Sequence, residues 1–203
     1  PNSWYGVCDG SAAIALPGGW VLVAEDEGNA LRAYDPARPD AVFESQSLKN
    51  ELQLDGKKEV DIEGAAVVGG LTFWIGSHGR NPDGLERPNR KTLFATTNAL
   101  ADGKLTVVVK GFYKGLLADL LSAPALAPYK LAEAETHAPE DGGINIEGIA
   151  RGPNDSLFVG FRSPLRADGT ALVVPIANPM KLVAGDPQVR AELGEPIALD
   201  LGG

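Results

Sequence analysis

Short runs of apolar residues, many of them alternating with polar residues, recur along the chain and are separated by turns rich in glycine and proline. Two stretches are closely similar: "DIEGAAVVGGLTFWIGSHGRN" at 61–81 and "NIEGIARGPNDSLFVGFRSPL" at 145–165. Each contains two apolar runs joined by a turn, which is "GG" at 69–70 in the first stretch and "GPND" at 152–155 in the second. This pattern predicts β-hairpins.

The hairpin pattern occurs three times. The N-terminal stretch "GSAAIALPGGWVLVAED" follows the same plan, with "PGG" at 17–19 as its turn. In each copy, the residue before the first strand and the residue after the second strand are 15 positions apart. These pairs are Glu63 and His78, Glu147 and Arg162, and Ser11 and Asp26. The shared spacing predicts that both members of each pair lie at the same end of their hairpin.

Each hairpin is followed by candidates for a third and a fourth strand, such as "KTLFATT" at 91–97 and "KLTVVVKGF" at 104–112. Four antiparallel strands in each repeat predict an all-β fold, a β-propeller of four-stranded antiparallel blades. We expect three blades, at residues 9–50, 60–114 and 144–201. A sandwich of similar strands is the alternative architecture.

The segment 115–143 is an insertion between the second and third copies. Leu116, Leu117, Leu120 and Leu121 recur there at helical spacing, which predicts a short amphipathic helix packed against the edge of a blade. Three blades do not close a ring, because known propellers have about four to eight. We therefore expect a second polypeptide (the C-terminal half of the same precursor) or a homodimer to supply the remaining blades.

The composition narrows the classes of partner. The 203 residues carry a formal net charge of −9, which argues against nucleic acid or an anionic membrane as the partner. The single cysteine excludes an intrachain disulfide, and no run approaches the roughly 20 apolar residues of a membrane span. The chain starts at Pro1 without a signal-like segment, which predicts a processed chain. A periplasmic or secreted location is favoured over a cytoplasmic one.

Candidate chemistry is concentrated at the ends of the hairpins. The first strand of each propeller blade lines the central channel, so these ends are expected around one channel mouth. Glu63, Glu147 and Asp26 are the predicted metal ligands there, and carboxylate oxygens favour calcium as the divalent metal. His78 as a further ligand would favour zinc or manganese.

Arginines near the same ends suggest an anionic ligand, because the guanidinium group binds phosphate or carboxylate in a bidentate manner. The predicted residues that bind a small anionic substrate are Arg80, Arg87 and Arg90. Together with a metal, they predict a metal-dependent hydrolase of an ester or phosphoester, with His78 and Arg162 as its catalytic residues. The alternative is a non-catalytic ligand-binding or scaffold propeller with a structural cation.

Each candidate residue also has a structural interpretation. The carboxylates of Glu63 and Glu147 can bind backbone N–H groups of a neighbouring blade, and Arg162 can simply pair with Glu147 at an exposed rim. His78 can be a buried structural histidine. These interpretations do not require catalysis.

The stretches "SAAIALPGGWVLVAEDEGNALRAYD", "FWIGSHGRNPDG" and "NIEGIA" resemble the bacterial DUF3616 family, whose members are predicted β-propellers without a settled general activity. The resemblance covers most of the chain outside 115–143. It implies a propeller fold and, because family members usually continue past residue 203, it implies further blades. The stretch "DIEG" is also similar to phytase-like, calcium-dependent propeller hydrolases, which implies a calcium-dependent hydrolytic activity.

Overall fold

The computed structural model of the chain describes residues 9–25, 28–56, 59–166 and 168–202. In this part of the chain, the strands form three four-stranded antiparallel sheets, each built from consecutive strands. The predicted all-β fold of incomplete propeller blades is therefore confirmed. We call the three sheets blade 1, blade 2 and blade 3, in chain order.

Every blade is a meander, in which each strand pairs with the next strand along the chain. Blade 1 consists of β1 (Gly10–Ala15), β2 (Val21–Glu25), β3 (Leu31–Asp35) and β4 (Arg38–Glu44). Blade 2 consists of β5 (Ile62–Val68), β6 (Leu71–Gly76), β7 (Leu93–Ala101) and β8 (Lys104–Tyr113). Blade 3 consists of β9 (Asn145–Arg151), β10 (Leu157–Ser163), β11 (Ala171–Ile176) and β12 (Ile197–Leu199).

Short α-helices accompany the sheets. They are α1 (Leu116–Ser122) and α2 (Leu131–Ala134) in the insertion, and α3 (Pro179–Leu182) after β11. The helix predicted from the leucine spacing is present as α1, and three of its leucines are buried in the core between blades 2 and 3, while Leu121 is exposed. Among the described residues, no helix has both the length and the apolar character that a membrane crossing requires.

The blades are stacked in chain order, with blade 2 in the middle. The inner strand β5 contacts both β1 and β9, the inner strands of the other two blades. Blade 2 is consequently buried on both faces: Trp74 and Phe94 pack toward blade 1, whereas Phe73 and Ile75 pack toward blade 3. Burial on both faces explains why β6 is almost entirely apolar and does not alternate with polar residues.

A glycine sets the distance between β5 and β9. A Cβ atom on Gly64 would lie 2.7 Å from the backbone nitrogen of Ile149 and 2.9 Å from the Cα atom of Gly148, so a larger residue does not fit. Gly148 occupies the corresponding position on β9, because it also follows a glutamate at the start of an inner strand. A Cβ atom on Gly148 would meet nothing within 4 Å. In blade 2, the face with Gly64 is covered by blade 3. The corresponding face of blade 3, the one with Gly148, is not covered by any other described blade and is open.

Candidate functional site

The turns of the inner hairpins differ in length between blades 2 and 3. In blade 2, Val68 pairs with Leu71, which leaves a turn of two residues. In blade 3, the N–H group of Gly152 donates to the carbonyl oxygen of Ser156 (2.9 Å), which leaves a turn of three residues. The additional residue displaces β10 by one position relative to β6, and a displacement of one residue exchanges the two faces of a strand.

The displacement changes which residues correspond in the two blades. Ala66 pairs with Phe73 in blade 2, and Ala150, the corresponding residue of blade 3, pairs with Phe158. Phe158 is therefore the structural counterpart of Phe73, although the sequence repeat aligns it with Trp74. For the same reason, the equal spacing of 15 residues does not place His78 and Arg162 at equivalent positions.

Arg162 lies at an irregularity at the end of β10. The pairing with β9 shifts register on both sides of Phe161, and Ser163 then pairs with Asn145. Such bulges redirect a side chain from its regular position on the strand. Arg162 Nη1 donates to Glu147 Oε1 at 2.8 Å, so the predicted proximity of these two residues is observed.

His78 follows β6 and has a left-handed backbone, with φ of 58°. The pairing of Ile62 with Gly76 places it at the same end of the hairpin as Glu63, as the spacing predicted. His78 is nevertheless only 2% exposed. The segment 90–92 covers this position, because the N–H group of His78 donates to the carbonyl oxygen of Arg90 at 3.2 Å.

The imidazole ring of His78 is neutral at physiological pH. Burial, together with the nearby Lys91 charge, lowers the pKa of His78 to about 4, against the opposing effect of the hydrogen bond to Gly76. Nδ1 lies 2.8 Å from the carbonyl oxygen of Gly76, which only accepts, so Nδ1 carries the proton. Nε2 is buried and has no hydrogen-bond partner within the described residues.

Arg162 pairs with Glu147, and charges from blade 2 and the insertion also act on it. The hydrogen bond and the charge of Glu147 raise the pKa of Arg162, and the charges of Glu140 and Glu63 contribute in the same direction. Asn145 Nδ2 also donates to Glu147 Oε1, at 3.0 Å. We call Glu63, Glu140, Glu147 and Arg162 the rim cluster. Sequence analysis missed Glu140, because it belongs to the insertion and has no counterpart in the repeats.

The predicted anion-binding arginines are already engaged by protein groups. Arg90 lies 2.9 Å from an oxygen of Asp61 and 3.1 Å from one of Glu59, and its side chain is 16% exposed. Arg80 Nε donates to the backbone oxygen of Glu135 at 2.7 Å, and its Nη2 lies 3.4 Å from the Glu135 carboxylate. Arg87 Nη1 donates to the backbone oxygen of the adjacent residue at 3.2 Å. Arg80 and Arg90 therefore anchor the loop after β6 to neighbouring segments.

The predicted metal ligands do not form a ready coordination site. Among the described residues, no three side chains of histidine, cysteine, aspartate or glutamate are arranged so that they could hold a metal ion. Asp26 lies outside the described residues. One carboxylate oxygen of Glu147, Oε1, already accepts hydrogen bonds from Arg162 and Asn145. A calcium ion requires about six to eight oxygen ligands. Glu63 and Glu147, as placed here, are not by themselves a set of ligands for a divalent cation.

The architecture defines this chain as three consecutive blades of a β-propeller. The model of the family described as "Protein of unknown function (DUF3616)" matches residues 10–104, which comprise blade 1 and the first three strands of blade 2. The resemblance to DUF3616 is therefore confirmed over this range. No curated protein matches the chain.

Two crystal structures of the extracellular domain of BT4673 from B. thetaiotaomicron are similar to the chain at low identity. Both are 13% identical to it, with TM-scores of 0.37 and 0.36. In both comparisons, the match covers 86% of this chain and 19% of the other chain. The chain thus spans about a fifth of the length of these structures.

Proposed function

We propose that this chain is a non-catalytic, ligand-binding part of a β-propeller, and that its rim cluster receives a small ligand bearing a cationic group. The observation that carries the proposal is the exposed pair of Arg162 with Glu147 of blade 3, on which the charges of Glu63 in blade 2 and Glu140 in the insertion also act. Arg162 and Glu147 have side-chain exposures of 63% and 40%, so a ligand in solution has access to them.

The charge balance of the cluster favours a cation over an anion. The cluster contains three carboxylates and one guanidinium, and the carboxylates of Glu140 and Glu147 are exposed. An amine or guanidinium group of a ligand can donate charge-assisted hydrogen bonds to exposed carboxylates of this kind. A divalent metal would first have to displace Arg162 from Glu147. We therefore assign a ligand with an amino group in preference to a metal ion.

Calorimetric titration at low ionic strength tests this assignment with putrescine, calcium chloride and zinc chloride as separate probes. We expect putrescine to bind, and Glu147→Gln to weaken its binding about fivefold because one charged acceptor is lost. Glu192→Gln is the matched control, because Glu192, in the connection between β11 and β12, is also an exposed carboxylate paired with a basic residue. Absence of putrescine binding, or equal weakening by both substitutions, would reject the proposal.

A metal-dependent hydrolase of esters or phosphoesters is the second candidate function. The neutral His78 favours it, because an unprotonated Nε2 can act as a ligand or a base at neutral pH. Calcium is the expected metal, with zinc and manganese as alternatives, and the substrate would be a small anion. The test is hydrolysis of p-nitrophenyl acetate or p-nitrophenyl phosphate. If hydrolysis requires an added metal and is lost in Glu63→Gln, the protein is a hydrolase and the proposal of a non-catalytic binding function fails.

Further blades complete the propeller by packing on the open face of blade 3. Exposed apolar side chains gather on and beside this blade, including Leu165 (52%), Leu199 (46%) and Leu201 (71%), and they line a groove of about 510 Å³. Apolar patches of this kind mark interaction sites. The additional sheet belongs to a longer form of the same protein or to a second copy of this chain.

Light scattering coupled to size-exclusion chromatography tests the second-copy alternative. A dimer that dissociates in Leu199→Glu supports it, whereas a monomer at high concentration rejects it. If a longer form of the protein supplies the sheet, Leu199→Glu destabilises that longer form and leaves the stability of residues 1–203 unchanged. A periplasmic or secreted location stays a prediction.

A further inference from the structure

A groove lies on the outer side of the molecule, beside the last strand of blade 2. It runs between the end of β8, helix α1 and the segment 182–190, and has a volume of about 530 Å³. A Cβ atom on Gly111 would lie 1.8 Å from the carbonyl oxygen of Val183, so only glycine allows the segment to cross β8 here. The buried side chains of Leu182 and Val183 provide an apolar lining.

Basic residues line this groove although the chain has a net charge of −9. They are Lys110, Lys114 and Arg190. Lys110 is exposed and has no ion pair or hydrogen bond of its side chain with any other described residue. Lys114 Nζ donates to the backbone oxygen of Gln53 at 2.9 Å and lies 5.3 Å from the centre of the Phe112 ring. Because an ammonium group has three donors, Lys114 retains two for a ligand.

The two carboxylates that line the groove have other partners. Asp119 accepts hydrogen bonds from the hydroxyl group of Tyr113 and from the N–H group of Ala191 (2.8 Å), and Arg190 Nε lies 3.9 Å away. Burial, together with the bond to Asp119, raises the pKa of Tyr113 to about 12, so its hydroxyl group remains a donor. Asp186 accepts from the N–H group of Gln188 at 2.9 Å. Neither Lys110 nor Lys114 forms an ion pair with a described carboxylate, so both ammonium groups can bind an external anion.

We propose that this groove binds a small organic anion, whose carboxylate or phosphate group is held by Lys110 and Lys114 and whose apolar part lies against Leu182, Val183 and Ala118. The volume falls within the roughly 300–1,000 Å³ that is typical of small-molecule sites. An apolar lining with a few charged groups at one end is the usual composition of such sites. The site is separate from the rim cluster and does not depend on the function proposed for it.

Nuclear magnetic resonance titration of residues 1–203 at low ionic strength tests this proposal, with benzoate and inorganic phosphate as anionic probes and benzamide as the neutral match for benzoate. We expect benzoate to shift the amide resonances of 110–115 and 182–187, and benzamide to bind at least about fivefold more weakly. Tighter binding of phosphate than of benzoate would assign the ligand to the phosphates, and the reverse to the carboxylates. Added salt weakens either interaction, since the lysines are exposed.

Substitutions identify the groups that hold the anion. Lys110→Gln and Lys114→Gln each weaken benzoate binding about fivefold, and Ala118→Leu weakens it by filling the groove. Lys104→Gln is the matched control, because it removes an exposed lysine at the opposite end of β8. The proposal fails if benzoate and phosphate do not bind, if benzamide binds as well as benzoate, or if Lys104→Gln has the same effect as the groove substitutions.

Discussion

The inner hairpins of blades 2 and 3 have closely similar sequences but very different surroundings. The hairpin of blade 2 lies between two other blades, whereas that of blade 3 has one open face. His78 at the end of the first hairpin is buried and neutral, and Arg162 at the end of the second is exposed and charged. The comparison shows that position in the stack, and one residue in a turn, decide what a repeated motif can do.

The largest difference in stability between the two hairpins is expected for the corresponding phenylalanines of β6 and β10. Phe73 is fully buried against blade 3, and Phe158 is partly exposed on the open side. Phe73→Ala should lower the free energy of unfolding by about 3–5 kcal/mol, because it leaves a cavity, whereas Phe158→Ala should lower it by about 1 kcal/mol. Urea unfolding followed by fluorescence measures both. Equal losses would contradict the assignment of an open face to blade 3.

Acid should destabilise the protein through His78. The folded protein keeps His78 neutral down to about pH 4, whereas the unfolded chain protonates it near the ordinary pKa of 6.5. Between these values the unfolded state binds more protons, so stability falls as the pH is lowered from 6.5 to 4, by up to about 3 kcal/mol.

Unfolding of the wild-type protein and of His78→Asn across this pH range isolates the effect of this histidine. Asparagine tolerates the left-handed backbone at this position, so the variant should fold and lose stability less steeply toward pH 4. His137→Gln, at the exposed histidine, is the control and should retain the wild-type slope. A slope that is the same in His78→Asn and the wild type would show that His78 is not held neutral by the fold.

A smaller difference in stability is expected for Gly64 and Gly148, which occupy corresponding positions on β5 and β9. Gly64→Ala forces β5 and β9 apart, and we expect it to lower the free energy of unfolding by about 1–3 kcal/mol. Gly148→Ala places its methyl group in open space and should change the free energy of unfolding by less than about 0.5 kcal/mol. Thermal unfolding of the two variants checks this. If Gly148→Ala were the more damaging substitution in residues 1–203, a partner would already cover blade 3 in solution.

The smallest effect is expected at Arg162. Its pair with Glu147 is exposed, so Arg162→Met should lower the free energy of unfolding by about 0.5 kcal/mol, and by less in high salt. Thermal unfolding at two salt concentrations measures the change. A loss of several kcal/mol would indicate a structural role for the rim cluster in place of ligand binding.

Much of the fold could be predicted from the sequence because hairpin turns and apolar alternation are local signals. The three hairpins, their third and fourth strands and helix α1 all follow from such signals. The proximity of Glu147 and Arg162 followed from the spacing within one hairpin. The correspondence between His78 and Arg162 did not hold, since the extra turn residue in blade 3 depends on pairing that a sequence repeat does not reveal.

Contacts between segments that are distant along the chain could not be predicted from the sequence. The pairing of Arg90 with Asp61 and Glu59, and of Arg80 with Glu135, joins residues on different loops, and no local pattern marks them. The charge of Glu140 acts on Arg162 from the insertion, and no local sequence pattern marks this interaction either. Two of the three arginines predicted to bind an anion, Arg80 and Arg90, therefore also anchor loops.

By itself, the sequence determined that the chain forms antiparallel hairpins of the propeller type, because alternation and turn chemistry act between neighbouring residues. Only the tertiary structure decided that blade 2 is enclosed, that blade 3 is open and that His78 is buried beneath a loop. These outcomes depend on which faces meet in the stack. A residue's exposure, and with it the pKa and the available chemistry of its side chain, is set by those long-range contacts.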